Sequence, residues 1–427
     1  MSDDNKVSNL LSKLKESPTF AMSRGGRELF HTNFIAFILD IEDLADETSD
    51  NRYAVKVKRK IIESLFNGEN KPKNVITFRE RSNLDLIVMP ALDELKSVGT
   101  LVVIEAKLKS IPTNEQLIKY NAKLASGLSL DLLEAVEFEQ SIVLKVKFTR
   151  DVKAYKVTLY EDGKKLNHFN GVNIELKKYL LAPQSFFPLK PDDEWQLLDW
   201  KPFIRDLKTI ETDSIDLLDS LIKDYLDSTS SILKLIELVD KKSKKYIGNE
   251  QDFSDFMGFS VNHKGFKNAR VHDLVGKVTY DILQKKLIES LVNIHKTEGF
   301  NLEADTFFSN STPGFSIYFR HKFSQNDVRI GVQLQGDDYR HFIARDFDSK
   351  NHTLTGCAGC IDEWIKVGSE NKLKRFNEDR FVYKSTKIPA KFKFDELQKK
   401  VEESLLGAIE HISNEKFISK LKGMASP

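Results

Sequence analysis

Two apolar runs that end in charges constrain this chain more than anything else in it. LDLIVMP, Leu84 to Pro90, and TLVVIEAKL, Thr100 to Leu108, are short, rich in Val and Ile, and bounded by turn-like segments, as strands are. NVITFRE, Asn74 to Glu80, is a third of the same kind. TLVVIEA is apolar on both faces, which is expected of a strand covered on both sides. Side chains alternate along a strand, so Glu105 and Lys107 emerge on one side with Ala106 opposite. The preceding strand, paired beside it, contributes Asp85. Charges buried beside LVVI are costly unless a metal or a partner compensates them. Two carboxylates from adjacent strands, one lysine and the backbone carbonyl of Ala106 make a compact site for a hard cation.

Helical patterns flank these strands. Asn9 to Lys15 reads as a short amphipathic helix ended by Pro18. ELFHTNFIAFILD, Glu28 to Asp40, places Leu29, Phe30, Phe34, Phe37 and Ile38 at helical spacing. Tyr53 to Phe66 forms another helix, stopped by Asn67-Gly68, and Pro112-Thr113 opens one through Leu124. Helix, strand, strand, strand, helix is an α/β core. From Ser141 to Tyr160 the pattern returns to strand. Leu144, Val146 and Phe148 alternate with Lys145 and Lys147, giving one apolar and one basic face. That basic face suits phosphate tracking, although a solvated strand face is the plainer reading. Asp162-Gly163 is a hairpin-type turn, KKYLLAP at Lys177 to Pro183 a buried strand, and WQLLDWKPFIRDL the start of a new helical region.

At 427 residues the chain calls for two domains. The expected division is 1–210 and 211–427, next to a long helix or broken pair from Thr212 to about Lys245. The second domain reads as α+β: a helix at Val271 to Lys296, strands GFSIYFRHK and DVRIGVQLQG, and a last helix from Phe394 to Ile412. QLQGDDYRHF gathers Asp337, Asp338, Arg340 and His341 in what reads as a turn or recognition loop. The 65 lysines and arginines nearly cancel the 64 aspartates and glutamates, so any nucleic-acid surface must be a local patch. Two cysteines, Cys357 and Cys360, exclude a disulfide framework, and with His352 they supply only one weak zinc-type pair. The N-terminus lacks the apolar run of a signal peptide and no stretch approaches a membrane span, so a cytoplasmic location without a membrane partner is expected.

Asp85, a spacer, Glu105-x-Lys107 at a strand end and a helix with Gln116-x-x-x-Tyr120 together resemble the PD-(D/E)xK nuclease superfamily. The likeness is to its bacterial branch whose first helix carries a Glu-Leu-Phe-His-like motif, matched here by Glu28 and His31 in ELFHTNF. It spans roughly Glu28 to Leu207; Leu84 stands where the family usually has proline, and the hairpin region from Ala125 to Glu175 is longer than in short members. The resemblance implies a restriction-endonuclease-like core, a four-stranded mixed sheet flanked by helices, ahead of the α+β C-terminal domain. It implies metal-dependent hydrolysis of phosphodiesters, with Mg2+ as cofactor and Mn2+ as its alternative. Asp85, Glu105, the Ala106 carbonyl and Glu28 would be the metal ligands. Lys107 would orient and deprotonate a water or stabilise charge on the phosphorus, and Gln116 and Tyr120 would face the substrate. Plainer readings exist: Thr113 and Gln116 also form a capping box, Glu80 competes with Glu28, and His31 suits a core position better than a ligand. DNA is expected ahead of RNA as partner, with restriction or phage defence as the family's common role. The C-terminal domain would select substrate, a protein partner or a homo-oligomer. Catalytically inactive relatives exist, so the rival is a nucleic-acid-binding or interaction module on a nuclease scaffold.

Overall fold

The computed structural model of the chain describes residues 3–26, 29–41, 52–67, 71–79, 84–91, 94, 98–108, 114–126, 128–131, 142–148, 155–161, 164–165, 172–186, 194–211, 216–260, 263–291, 294, 302–309, 312–323, 326–345, 374–375 and 381–414. Two compact units divide it, Met1–Leu235 and Ile236–Pro427.

The first unit opens with helices α1 (Asp3–Glu16), α2 (Pro18–Gly26), α3 (Leu29–Leu39) and α4 (Tyr53–Leu65). Strands β1 (Val75–Arg79), β2 (Leu86–Pro90) and β3 (Thr100–Ala106) follow as an antiparallel meander. Every residue of β2 and β3 is buried, which is what their unbroken apolar runs require. Helix α5 (Asn114–Ser126) leads to β4 (Leu128–Asp131), β5 (Ile142–Phe148), β6 (Tyr155–Glu161), β7 (Lys164–Lys165) and β8 (Val172–Ala182). Strand β8 returns parallel to β3, so the central sheet is mixed. The long β8 also pairs antiparallel with β6, and through it carries β5, β4 and β7 as an extension of the same sheet. The Asp162-Gly163 turn lies outside the described residues, although Glu161 opposite Lys164 is the register of a two-residue hairpin.

One segment departs from the sequence reading. Gln196–Asp199, expected as helix, is strand β9, parallel to the Tyr179–Ala182 end of β8. Helix α6 (Trp200–Lys208) starts only after it. Asp199 is extended, and its carboxylate accepts the Lys201 N–H at 3.1 Å, so one residue ends the strand and caps the helix.

The long helix α7 (Leu217–Ile247) is continuous, and the division between the units falls within it rather than before it. Its first half belongs to the first core. Tyr225 stacks on Phe34 with ring centroids 4.0 Å apart. Asp224 accepts from the Ser17 and Thr19 hydroxyls and from the Thr19 N–H, tying down the first turn of α2. Its last turns belong to the second core, where Tyr246 stacks on Phe256 of α8 (Phe253–Ser260) at 4.7 Å.

The second unit continues through α9 (Lys264–Asn268) and α10 (His272–Ser290) into β10 (Leu302–Ser309), β11 (Thr312–Phe323), β12 (Asn326–Gln335) and β13 (Asp338–Arg345). Short β14 (Lys374–Arg375), β15 (Phe381–Lys387) and α11 (Phe394–Ile412) complete it. The six strands form one antiparallel sheet in the order β10-β11-β12-β13-β15-β14. Phe315, Ile317, Val332 and Leu334 of the sheet join Leu283, Leu287, Leu397 and Val401 of α10 and α11 in one buried core. Of the two readings of QLQGDDYRHF, a turn or a recognition loop, the structure shows the turn, followed directly by a strand. Gly336 at φ +58° reverses the chain, and β13 begins two residues later. On the other face Tyr318 crosses Gly331, where a Cβ would lie 2.2 Å from the Ile317 carbonyl oxygen. Among the described residues no helix is long and apolar enough to cross a membrane.

Candidate active site

Antiparallel pairing of Leu86 with Ile104 and Ile87 with Val103 runs β2 and β3 toward the end where the charges sit. One step further along that register brings Asp85 beside Glu105, at a typical cross-strand Cα separation of about 5 Å and on the same face. The Ala106 N–H donates to Asp85 Oδ2 at 3.0 Å, fixing the carboxylate just outside the strand. Lys107 N–H donates to the Leu181 carbonyl at 2.8 Å, so β8 holds the backbone that presents Glu105 and Lys107.

Glu105 has no exposed surface and Lys107 is 6% exposed. The Lys107 ammonium lies 2.7 Å from Glu105 Oε1. Two side chains of α5 reach the same oxygen: the Tyr120 hydroxyl donates to it at 2.9 Å, and Gln116 Nε2 at 3.1 Å. Gln116 Nε2 also donates to the Tyr120 oxygen at 2.6 Å. Oε1 is thus surrounded by donors. Oε2 is buried and has no hydrogen-bond partner among the described residues.

This arrangement shifts Glu105 and Tyr120. Burial, opposed by Lys107 and reinforced by Asp85, pushes the Glu105 carboxyl up to about 7. Burial also raises the Tyr120 phenol to about 12, with the Glu105 charge adding to it. Tyr120 therefore stays a neutral donor at any physiological pH. The orphaned Oε2 and the neighbouring Asp85 form a donor set suited to Mg2+, which commonly takes one or two carboxylates and keeps waters for its remaining positions. Among the described residues no group of three or more His, Cys, Asp or Glu side chains gathers as a metal cluster.

The structure thus brings together Asp85, Glu105, Ala106, Lys107, Gln116 and Tyr120. Gln116 spends its amide on Glu105 and Tyr120. Glu28, Glu80 and Thr113 lie outside the described residues, as do His352, Cys357 and Cys360. Lys145 and Lys147 occupy β5 opposite Thr158 and Lys156, with β8 and β6 between that strand and β3; their side chains are outside the described part. His31 is buried in the core, its Nδ1 3.3 Å from the Tyr225 hydroxyl and its ring against Trp200.

Sequence reasoning passed over three neighbours of the cluster: Lys178 on β8, Asn121 on α5 and Trp195 just before β9. A lysine inside the apolar strand KKYLLA was the available signal. No family model, curated protein sequence or solved structure matches the chain.

Proposed function

We propose that the first unit is a metal-dependent phosphodiesterase of the PD-(D/E)xK type, cutting nucleic acid with DNA preferred over RNA. The observation that carries this reading is Glu105: a fully buried carboxylate with one oxygen crowded by Lys107, Tyr120 and Gln116 and the other unpartnered beside Asp85. Burying a charge in this way is costly, and an incoming cation relieves the cost. The mixed order β1-β2-β3-β8, with helix α5 across the face that bears Glu105, supports a restriction-endonuclease-like core.

In this reading Asp85, Glu105 and the Ala106 carbonyl hold Mg2+ or Mn2+, with Glu28 as a further ligand. The bound ion supplies charge neutralisation at the scissile phosphate and acidifies a water. Gln116 and Tyr120 anchor Oε1, which would leave Oε2 of Glu105 available to a cation. Lys107 orients the attacking water and donates to the charge that grows on the phosphoryl oxygens. Tyr120, Lys145 and Lys147 contact the nucleic acid. The second unit selects substrate, protein partner or oligomeric state, and the enzyme serves restriction or phage defence.

One observation favours the rival, an inactive binding or interaction module: the 2.7 Å ion pair of Lys107 with Glu105 is also what a purely structural strand end shows. Incubating the full chain with supercoiled plasmid, linear duplex and RNA, each with Mg2+, Mn2+ or EDTA, separates the two. Metal-dependent cleavage of any of them supports the enzyme; binding without cleavage under every condition supports the module.

A further inference from the structure

The registers Val103 to Lys178 and Glu105 to Leu180 put Lys178 on the same sheet face as Glu105, one pleat repeat away on the neighbouring strand. Lys178 is 6% exposed, in a strand that continues Tyr179, Leu180, Leu181 and Ala182. A leucine or methionine there would pack without the desolvation penalty of an ammonium. What the lysine adds is polar and specific. Its Nζ donates to Asn121 Oδ1 at 2.9 Å and pairs with Glu194. The same Asn121 oxygen accepts the Trp195 indole N–H at 3.1 Å. Trp195 in turn faces Tyr120, with ring centroids 6.2 Å apart.

Asn121 and Tyr120 are consecutive residues of α5, and they reach two different strands. Tyr120 and Gln116 fix the helix against β3 through Glu105, whereas Asn121 fixes it against β8 through Lys178. Consecutive helical residues point about 100° apart, so one attachment alone lets the helix roll about its axis and two do not. We propose that Lys178 is a positioning residue for the Glu105 site, holding α5 through Asn121 and Trp195 so that Tyr120 and Gln116 keep their place on Oε1.

The test has a thermodynamic arm that needs no activity and a kinetic arm that rests on the phosphodiesterase reading. In a double-mutant cycle on unfolding of the full chain, Lys178→Met and Tyr120→Phe are measured singly and together. Although the two side chains share no bond in the network described, their effects on the unfolding equilibrium constant should depart from additivity by at least about threefold. Additive effects overturn the proposal. If Lys178→Met does not fold, Asn121→Ala replaces it in the same cycle. Where the wild type cleaves, Lys178→Met should lower kcat by about tenfold to a hundredfold with KM unchanged, the signature of misplaced catalytic groups, and Lys178→Arg should recover part of it. An unchanged kcat overturns the proposal. A wild type that cleaves nothing contradicts the phosphodiesterase reading alone, and the stability cycle still decides the role of Lys178.

Discussion

Replacing Glu105 by glutamine in metal-free protein keeps the shape of the side chain and removes its capacity to ionise. Folding raises this carboxyl from 4.5 to about 7, so the folded state disfavours the charged form. The stability tied to Glu105 is fully present below pH 4.5 and is lost as the pH climbs through about 7. At about 1.36 kcal/mol per pKa unit, the loss amounts to roughly 3 kcal/mol by pH 8. Glutamine imitates the protonated acid and escapes it, at a cost of about 1 kcal/mol for a buried amide donor placed where Oε2 has no partner. In EDTA the variant should therefore be slightly less stable than wild type at pH 4.5 and more stable by roughly 2 kcal/mol at pH 8. Other acids raised by burial, Asp40 and Asp219 among them, contribute equally to both proteins and cancel in the difference. Urea unfolding at several pH values, followed by tryptophan fluorescence with Trp364 replaced by Phe in both proteins, reads the first unit through Trp195 and Trp200. Adding Mg2+ at 100 times its dissociation constant should then stabilise the wild type by about 2.7 kcal/mol and leave the variant unmoved. A variant several kcal/mol less stable than wild type at every pH, with or without Mg2+, would refute the reasoning and mark Glu105 and Lys107 as a structural ion pair.

Asp85→Asn still accepts from the Ala106 N–H, so the fold should survive while calorimetric Mg2+ binding falls below detection. Asp224→Ala removes three hydrogen bonds from the start of α2 and should cost the first unit about 1–2 kcal/mol in denaturant unfolding. Gly331→Ala forces a Cβ to 2.2 Å from the Ile317 oxygen and 2.5 Å from Tyr318 Cα, so the second unit should lose about 3 kcal/mol or fail to fold. Circular dichroism and proteolysis of the second unit check it.

The central strands were legible because they are buried on both faces. LIVMP and the LVVI of TLVVIEA are continuous apolar runs that only a covered sheet can use, and the charges at their ends announce the site, whereas VITFR is only partly buried and is legible from its β-branched and aromatic residues. The site's inner contacts were half legible. A four-residue spacing put Gln116 and Tyr120 on one helix face, but only the fold sets that face against Glu105. Lys178 was hidden because its partners Asn121 and Trp195 are distant in sequence, and in isolation a lysine reads as a solvated end. QLLD was misread because Leu197 and Leu198 fit a helix as well as a strand; parallel pairing with β8 decides it. In the second unit β10 carries Glu303, Asp305 and Thr306 among its apolar residues, and cross-strand partners such as the Arg320 guanidinium on Glu303 compensate what its own pattern lacks.

The most direct test of the account is Lys107→Ala beside the wild type, with Mg2+ affinity and cleavage measured on the same preparations. Both carboxylates remain, so metal should bind undiminished while the chemical step slows by about 2–4 kcal/mol, or roughly 30-fold to 1000-fold. Lys107→Arg should not rescue it, because a planar guanidinium cannot replace a compact ammonium. Cleavage by Lys107→Ala at the wild-type rate would contradict the account and move the active site elsewhere.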